Sequence, residues 1–232
     1  MSTIVIAGGA GEVGRALAQS YAADGFHVHV VDKSAAATEI ATAVGGTAHI
    51  VDAADPAIAE TLSEIPAVDV LINAIGVWPT MSLDELTPQA WKTSMGINLD
   101  SGYFAVWGCR EALRASKGSI VNITSAIALK GHPRMIQYAA AKAGVIGMTR
   151  SLALALGPDG VRVNAVAPGL IATERNESLW TESERAKFRD ARALPIDLTV
   201  EDAVAAVRFL ASPAARAITG QTLVVDGGSV LH

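Results

Sequence analysis

Tyr138 and Lys142 are the most informative pair of reactive residues in the sequence, because they lie four positions apart. Side chains at this spacing share one face of a helix, so the ammonium can lie beside the phenol. A tyrosine ordinarily has a pKa near 10, and a nearby ammonium favours the phenolate. Lowering that pKa by about 2–3 units needs about 3–4 kcal/mol of differential interaction. The pair indicates a general acid/base, although this spacing alone is common by chance.

A glycine-rich turn follows the first apolar run, Thr3–Ala7. Gly9, Gly11 and Gly14 fit the pattern G-x-G-x-x-G, in which glycines allow a tight turn and a close backbone approach to a diphosphate. The N–H groups of the helix that follows would bind the anion. Glu12 does not suit a diphosphate site, because its carboxylate would repel the diphosphate unless it points to solvent or to a cation.

Asp32 ends the second predicted strand, 18 residues after Gly14. A carboxylate at this position accepts hydrogen bonds from both adenosine ribose hydroxyls and repels a 2′-phosphate, which favours NAD over NADP. Lys33 weakens this inference because it could pair with that phosphate, and Asp32 could also be an ordinary strand-end acid. Asp52 ends the third strand, where it could bind the adenine edge or cap the helix after Pro56.

Short β-rich runs alternate with longer Ala-rich segments along the whole chain. Strands buried on both faces read as continuous Val/Ile runs, and strand–helix alternation implies right-handed crossovers. We therefore expect an α/β fold: a single-domain Rossmann fold over residues 1–232, with a doubly wound parallel sheet of about seven strands and helices on both faces. The predicted strands are Thr3–Ala7, His27–Val31, Thr47–Val51, Val68–Ile72, Ser119–Ile123, Val161–Val166 and Thr222–Val225. The predicted long helices are Gly14–Ala23, Gln89–Leu113, Ile136–Leu156 and Val200–Leu210.

Composition excludes several classes of protein. The 232 residues carry a net charge of −5 with no basic run, which argues against nucleic-acid binding. The single cysteine, Cys109, excludes an internal disulfide, and the five histidines show no metal-ligand spacing. The apolar run Ile4–Ala7 is too short for a signal peptide or a membrane span. We expect a cytoplasmic protein with no metal and no membrane partner.

Several motifs agree in order and spacing with one known family. They are the glycine turn, Asn98 within Gly96–Asp100, Ser125 thirteen residues before Tyr138, Lys142, the stretch Asn164–Gly169 with Thr173, and Ile218–Gly228. In this set the chain resembles the short-chain dehydrogenases/reductases, from Gly8 to Gly228. The resemblance implies NAD-dependent hydride transfer between a secondary alcohol and its ketone.

The resemblance also implies residue roles. Tyr138 would be the general acid/base, Lys142 would lower its pKa together with the positive nicotinamide ring, and Ser125 would hydrogen-bond the substrate oxygen. Asn98 would interrupt its helix and hold a water that links Lys142 to solvent. The cofactor-binding residues expected are Gly8, Gly11, Glu12, Val13, Gly14, Asp32, Asp52, Ala53, Asn73, Ala74, Gly76, Tyr138, Lys142, Pro168, Gly169, Ile171 and Thr173.

Two departures from the family pattern affect the cofactor site. Family members this short usually have T-G-x-x-x-G-x-G, but Ala7 replaces the Thr and Glu12 replaces the middle Gly. The turn is more similar to that of the longer-chain branch, which includes sugar epimerases. The usual N-N-A-G reads Asn73–Gly76 here and lacks its second Asn.

Three segments should shape the substrate pocket: Val77–Pro79, Ala126–Gln137 and the helical lid at about 170–195. Leu179, Trp180 and Phe188 would form the apolar side of the lid, whereas Lys130, His132 and Arg134 could be solvated loop. The chain also resembles relatives that act on small aromatic or cyclic secondary alcohols in Leu83–Leu86, Asn98–Gly102 and the tail Asp226–His232.

Two alternatives to an alcohol dehydrogenase remain open: an epimerase or dehydratase, which the glycine turn favours, and a non-catalytic NAD-binding sensor. The resemblance further implies a homotetramer, or a dimer. The helices Gln89–Leu113 and Ile136–Leu156 and the C-terminal strand with its tail would form the contacts.

Overall fold

The computed structural model describes residues 1–231, apart from the side chains of residues 175 and 177. Seven strands form one sheet in which every neighbouring pair is parallel, in the order β3-β2-β1-β4-β5-β6-β7. The strands are β1 (Thr3–Ala7), β2 (His27–Asp32), β3 (Thr47–Ile50), β4 (Val70–Asn73), β5 (Ser119–Ile123), β6 (Arg162–Pro168) and β7 (Thr222–Val225). The predicted doubly wound sheet is confirmed.

Ten α-helices connect the strands over the described residues. They are α1 (Glu12–Ala23), α2 (Ala36–Ala43), α3 (Ile58–Ser63), α4 (Pro88–Met95), α5 (Ser101–Ser116), α6 (Ile127–Lys130), α7 (Ile136–Leu156), α8 (Glu174–Leu179), α9 (Glu182–Asp190) and α10 (Val200–Ala211). A π-helical turn at Gly96–Asp100 joins α4 to α5 without a gap, so the stretch predicted as a long helix, Gln89–Leu113, is helical throughout and is interrupted at this turn.

The sheet is buried on both faces, which explains its Val/Ile runs. In β1, Val5 belongs to one core with residues of α3 and α5, whereas Ile4 and Ile6 belong to a second core with residues of α1 and α10. Alternation within a strand sends successive side chains to opposite faces, so a strand covered on both sides must be apolar throughout.

Helix α7 packs against β6 and brings reactive residues to the sheet. By length and composition alone, the segment 136–159 could cross a membrane. In this fold its buried residues include Tyr138, Lys142 and Thr149, and the last of these accepts a hydrogen bond from Asn122 of β5 at 2.9 Å. This is the environment of a helix in a protein core.

The strand order reverses at β1. After β1 the chain adds β2 and β3 on one side of it, and it then crosses to the other side and adds β4 to β7. The crevice between β1 and β4, at the carboxyl ends of the strands, is where ligands bind in sheets of this kind.

Candidate active site

A cavity of about 460 Å³ lies at this edge of the sheet. Its lining comes from the segments that follow β1, β4, β5 and β6, namely residues 10–14, 74–76, 123–127 and 168–171. The segment after β6 also contributes four side chains to the cavity lining: Thr173, Asn176, Trp180 and Phe188. Helix α7 contributes Tyr138 and Lys142. The fold therefore gathers the reactive residues into one crevice.

The glycines of the turn serve different purposes. A Cβ on Gly8 would lie 2.8 Å from the Ala74 carbonyl carbon, and a Cβ on Gly14 would lie 2.3 Å from the Gly8 oxygen. These two glycines are required by the packing of the turn on β4 and α1. A Cβ on Gly11 would meet nothing closer than 3.5 Å, and Gly11 lines the cavity. The open space beside Gly11 lets a ligand approach the backbone closely.

Glu12 turns its carboxylate toward the segment after β6. Its Oε2 accepts a hydrogen bond from the backbone N–H of Glu174 at 3.3 Å. Glu174 is the first residue of α8, where backbone N–H groups have no partner within the helix. The carboxylate therefore binds a backbone donor of the protein, not the solvent or cation that the sequence predicted.

Asp32 and Asp52 lie at the ends of β2 and β3, outside the cavity lining. The Asp32 carboxylate accepts from the N–H groups of Ala10 and Ser34, at 3.1 and 3.0 Å. Asp52 forms an ion pair with Lys33 at 3.4 Å and accepts from the Ala54 N–H at 3.0 Å. Lys33 is thus paired with an acid, although exposed pairs of this kind contribute at most about 1 kcal/mol.

Tyr138 and Ser125 both line the cavity, where an interaction with the Ser125 hydroxyl lowers the pKa of the phenol. Tyr138 is 8 % exposed. Burial raises the pKa of Tyr138 to about 12, which outweighs the lowering effect of the Ser125 hydroxyl. This burial opposes the lowering of the Tyr138 pKa that the sequence predicts from Lys142 together with a positive nicotinamide ring.

Lys142 is 2 % exposed and donates to two backbone carbonyls, those of Ile75 and Ile123, at 2.8 and 2.9 Å. Burial lowers the pKa of Lys142 to about 7. Its Nζ lies 5.9 Å from the centre of the Tyr138 ring. An uncharged amine still has two N–H donors, so both hydrogen bonds persist whichever form is present.

Asn98 lies in the π-helical turn and is 3 % exposed. Its Oδ1 accepts from the Val77 N–H at 2.9 Å, and its Nδ2 donates to the carbonyls of Val77 and Ser94, both at 3.0 Å. Asn98 therefore fixes the segment after β4 against the turn. The predicted interruption of the helix is present at this residue.

Five predicted cofactor-binding residues do not line the cavity: Gly8, Asp32, Asp52, Ala53 and Asn73. The Asn73 side chain is buried and donates to Asn122 Oδ1 at 2.7 Å, on the side of β4 that faces α5, so a cofactor contact would have to come from its backbone. The other twelve of the seventeen predicted residues do line it, namely Gly11, Glu12, Val13, Gly14, Ala74, Gly76, Tyr138, Lys142, Pro168, Gly169, Ile171 and Thr173.

Aromatic side chains form the wall opposite the glycine turn. Trp180 and Phe188 line the cavity and contact each other edge to face at 5.3 Å, and the Trp78 ring lies 6.2 Å from Tyr138. Leu179 is 55 % exposed, so its predicted place on the apolar side is wrong. Leu179 is the last residue of α8, and the backbone becomes extended at Trp180, which turns that side chain to the cavity.

Sequence reasoning missed Asn176, which lines the cavity and is buried. Its Nδ2 donates to the Ile171 carbonyl at 2.8 Å, and its Oδ1 has no partner among the described residues. Thr173 caps α8 by accepting from the Asn176 N–H at 3.2 Å. Thr is a common N-cap residue, so Thr173 could have identified the start of this helix.

A family model described as enoyl-(acyl carrier protein) reductase matches residues 8–230. The chain is also 34% identical to the probable galactose dehydrogenase GalD of Rhizobium meliloti (strain 1021), over 97% of this chain and 93% of that protein. This chain is a short-chain dehydrogenase/reductase. As such it is an oxidoreductase that interconverts alcohols and ketones with a nicotinamide cofactor, NAD or NADP.

Other members of the short-chain dehydrogenase/reductase family show how varied the substrates of similar chains are. The D-threitol dehydrogenase of Mycolicibacterium smegmatis (strain ATCC 700084 / mc(2)155) is 33% identical, over 97% of this chain and 91% of that protein. The 3-oxoacyl-[acyl-carrier-protein] reductase of Synechocystis sp. (strain ATCC 27184 / PCC 6803 / Kazusa) is 36% identical, over 98% and 96%. A solved oxidoreductase of this family from Burkholderia thailandensis is 33% identical with a TM-score of 0.90, covering 99% of this chain and 92% of that one.

Proposed function

We propose that this protein transfers a hydride between NAD and a small cyclic or aromatic secondary alcohol, or its ketone, with Tyr138 as the acid/base. The observation that carries the proposal is that one cavity brings together Ser125, Tyr138 and Lys142 with the glycine turn. A proton and a hydride must move in the same reaction, and this arrangement has a proton donor next to a place for a dinucleotide.

The residues present fit a dinucleotide. The open backbone at Gly11, the helix start at Glu12–Gly14 and the orphan Oδ1 of Asn176 all lie on the cavity. Backbone N–H groups at a helix start bind phosphate, and an amide oxygen accepts from an amide N–H. When bound, a nicotinamide accepts or supplies the hydride and, when oxidised, brings a positive charge.

In ketone reduction, the Tyr138 hydroxyl donates its proton to the substrate oxygen. Ser125 hydrogen-bonds the same oxygen and stabilises the charge that develops there. Burial keeps Tyr138 protonated, since it raises the pKa of the phenol to about 12, and the protonated phenol is the form that reduction requires. Oxidation requires the phenolate, and a positive charge on Lys142 favours that form.

A water that connects Lys142 to Asn98 would give the lysine a route for its proton, with Asn98 as a positioning residue. A Cβ on Gly76 would contact both Lys142 Nζ, at 3.6 Å, and Asn98 Oδ1, at 3.7 Å, so the two polar atoms lie on the same side of Gly76. The fixed hydrogen bonds of Asn98 to Val77 and Ser94 hold its oxygen in place.

The choice of NAD over NADP rests on Asp32. Its carboxylate adjoins the glycine turn through the Ala10 N–H and retains free lone pairs for ribose hydroxyls. A 2′-phosphate at the same place would meet a negative charge. Lys33, the nearest cation in sequence, is paired with Asp52.

The apolar cavity wall supports the proposed substrate class. Trp78, Met135, Trp180 and Phe188 present apolar surface beside Tyr138. A polyhydroxylated sugar would leave its hydroxyl groups without partners against this wall, which costs free energy. A cyclic or aromatic ring carrying the secondary alcohol would cover the wall instead.

Self-association through α4, α5 and α7 is part of the proposal. Trp91, Tyr103, Trp107 and Leu154 on these helices are between 39% and 81% exposed in the single chain. Large apolar side chains clustered on one surface mark a protein–protein contact. We propose a homotetramer or dimer that covers them.

An activity screen tests the function. Secondary alcohols are offered with NAD and the matching ketones with NADH, and cofactor absorbance is followed. We expect turnover of cyclic or aromatic members, with polyols slower. Tight NAD binding without turnover of any alcohol or ketone would contradict an enzyme and favour a sensor.

A further inference from the structure

The segment between β5 and α7 carries three basic side chains, Lys130, His132 and Arg134, and the mechanism uses none of them. Lys130 and His132 line the cavity, on the segment that begins with Ser125. Arg134 is not part of the cavity lining. The basic side chains therefore lie on the segment that also carries the residue proposed to bind the substrate oxygen.

The Lys130 ammonium has a hydrogen-bond partner but no carboxylate partner among the described side chains. Its Nζ donates to the hydroxyl of Ser229 at 2.8 Å. Among the side chains that the structure describes, no carboxylate lies within 4.0 Å of it. An ammonium has three N–H donors, so two remain for a ligand.

His132 is a neutral donor in this arrangement. Its Nδ1 accepts a hydrogen bond from the Arg134 N–H at 3.2 Å, so in the neutral ring the proton is on Nε2. Burial, followed by the charges of Lys130 and Arg134, lowers the pKa of His132. Both effects favour an uncharged imidazole with one N–H available.

Arg134 differs from Lys130 although it carries the same charge. Its guanidinium pairs with Glu85 at 3.6 Å, and both side chains are more than half exposed. Its charge is therefore compensated outside the cavity. Lys142 also lines the cavity without a carboxylate partner, but the mechanism uses it beside Tyr138, so Lys130 is the cation on the wall that is left for a substrate charge.

We propose that the alcohol or ketone substrate carries a carboxylate, which the ammonium of Lys130 and the Nε2–H of His132 bind. This inference rests on the proposed function and specifies its substrate as a cyclic or aromatic hydroxy or oxo acid. A carboxylate suits the site better than a phosphate, because one cation and one neutral donor match a single negative charge. The rest of the ring would contact Trp78, Trp180 and Phe188.

Calorimetric binding of two unreactive probes tests the inference without requiring turnover. The probes are cyclohexanecarboxylate and cyclohexanecarboxamide, which share a ring and differ in charge. Each is titrated into the full chain with and without NADH. We expect the carboxylate to bind about tenfold more tightly than the amide, a difference of about 1.4 kcal/mol, and the preference to shrink as salt is added.

Four variants assign the preference to residues. Lys130→Gln should bring the two probes within about twofold, whereas Arg134→Gln removes the same charge from the same segment and should leave the preference unchanged. His132→Phe should weaken carboxylate binding about threefold, and His132→Gln, which keeps an N–H donor, should restore most of it.

Equal binding of the two probes, or a preference that survives Lys130→Gln, would overturn the inference. The proposed function fails by a different result, the absence of NAD-linked turnover for every alcohol and ketone. A third result separates the two proposals: neutral cyclic alcohols are turned over, but the two probes bind equally. In that case the proposed function stands, and the inference that the substrate carries a carboxylate is overturned.

Discussion

The Oδ2 of Asp32 accepts a hydrogen bond from the backbone N–H of Ala10 at 3.1 Å. This contact joins the end of β2 to the glycine turn after β1. In the proposed function this carboxylate would both fix the turn that holds the diphosphate and face the adenosine ribose. Cofactor affinity and cofactor choice would then be coupled through Asp32.

We expect the protein to prefer NAD over NADP by more than about a hundredfold in kcat/KM, or about 2.8 kcal/mol. Asp32→Ser should bring the two cofactors within about tenfold, mostly through weaker use of NAD, since both the ribose contacts and the Ala10 contact change. Asp84→Ser removes the same charge from an exposed residue outside the cavity lining, so it is the control and should keep the preference. Equal use of both cofactors by the wild-type protein would show that Asp32 does not face the ribose.

Glu12 provides a second test of the cofactor site. Its carboxylate lies in the predicted diphosphate turn and accepts from the Glu174 N–H. Glu12→Gln keeps an acceptor for that N–H and removes the negative charge, so we expect the Kd for NADH to fall by about two- to fivefold at low salt, with a smaller gain at high salt. Fluorescence titration measures it. Weaker binding by Glu12→Gln would show that the charge itself is needed.

The sequence predicted the sheet well because its signals are local. The runs Thr3–Ala7, Ser119–Ile123 and Thr222–Val225 are strands with the predicted bounds. Helix α7 also has its predicted bounds, Ile136–Leu156, since a long apolar Ala-rich segment has few other ways to fold. Two short helices, α2 and α3, were absent from the prediction because eight and six residues give too little periodicity.

The features that the sequence could not predict depend on tertiary packing. The raised pKa of Tyr138 comes from burial, which no spacing of Tyr and Lys specifies. Asn73 ends β4, at the edge of the sheet where cofactor-binding residues are expected, yet its side-chain amide donates to Asn122 on the neighbouring strand β5. The ion pair of Arg134 with Glu85, which distinguishes Arg134 from Lys130, joins segments 49 residues apart in sequence.

A histidine pair on β2 and β3 predicts how stability depends on pH. His29 Nδ1 lies 2.9 Å from His49 Nε2. Burial, followed by the charges of His49 and His27, lowers the pKa of His29 to about 4, from about 6.5 in the unfolded chain. Between about pH 6.5 and 4 the unfolded chain binds a proton that the folded chain does not, so the free energy of unfolding falls as the pH falls.

His29→Gln removes this titration. From pH 7 to pH 4.5 the wild-type protein should lose more stability than the variant, as measured by urea unfolding at both values. An equal loss in the two proteins would show that the pair takes up its proton without cost to the fold.

The central claim is that Tyr138 exchanges the proton during hydride transfer, and steady-state turnover with NADH and a cyclic ketone tests it most directly. Tyr138→Phe keeps the ring and removes the hydroxyl, so we expect kcat to fall at least about a hundredfold with NADH affinity nearly unchanged. Tyr103→Phe removes a hydroxyl that lies outside the cavity, on the surface we propose for self-association, and should leave kcat unchanged provided that the variant assembles like the wild type. Wild-type kcat in Tyr138→Phe, with hydride transfer shown to be rate-limiting by a deuterium isotope effect, would contradict the account.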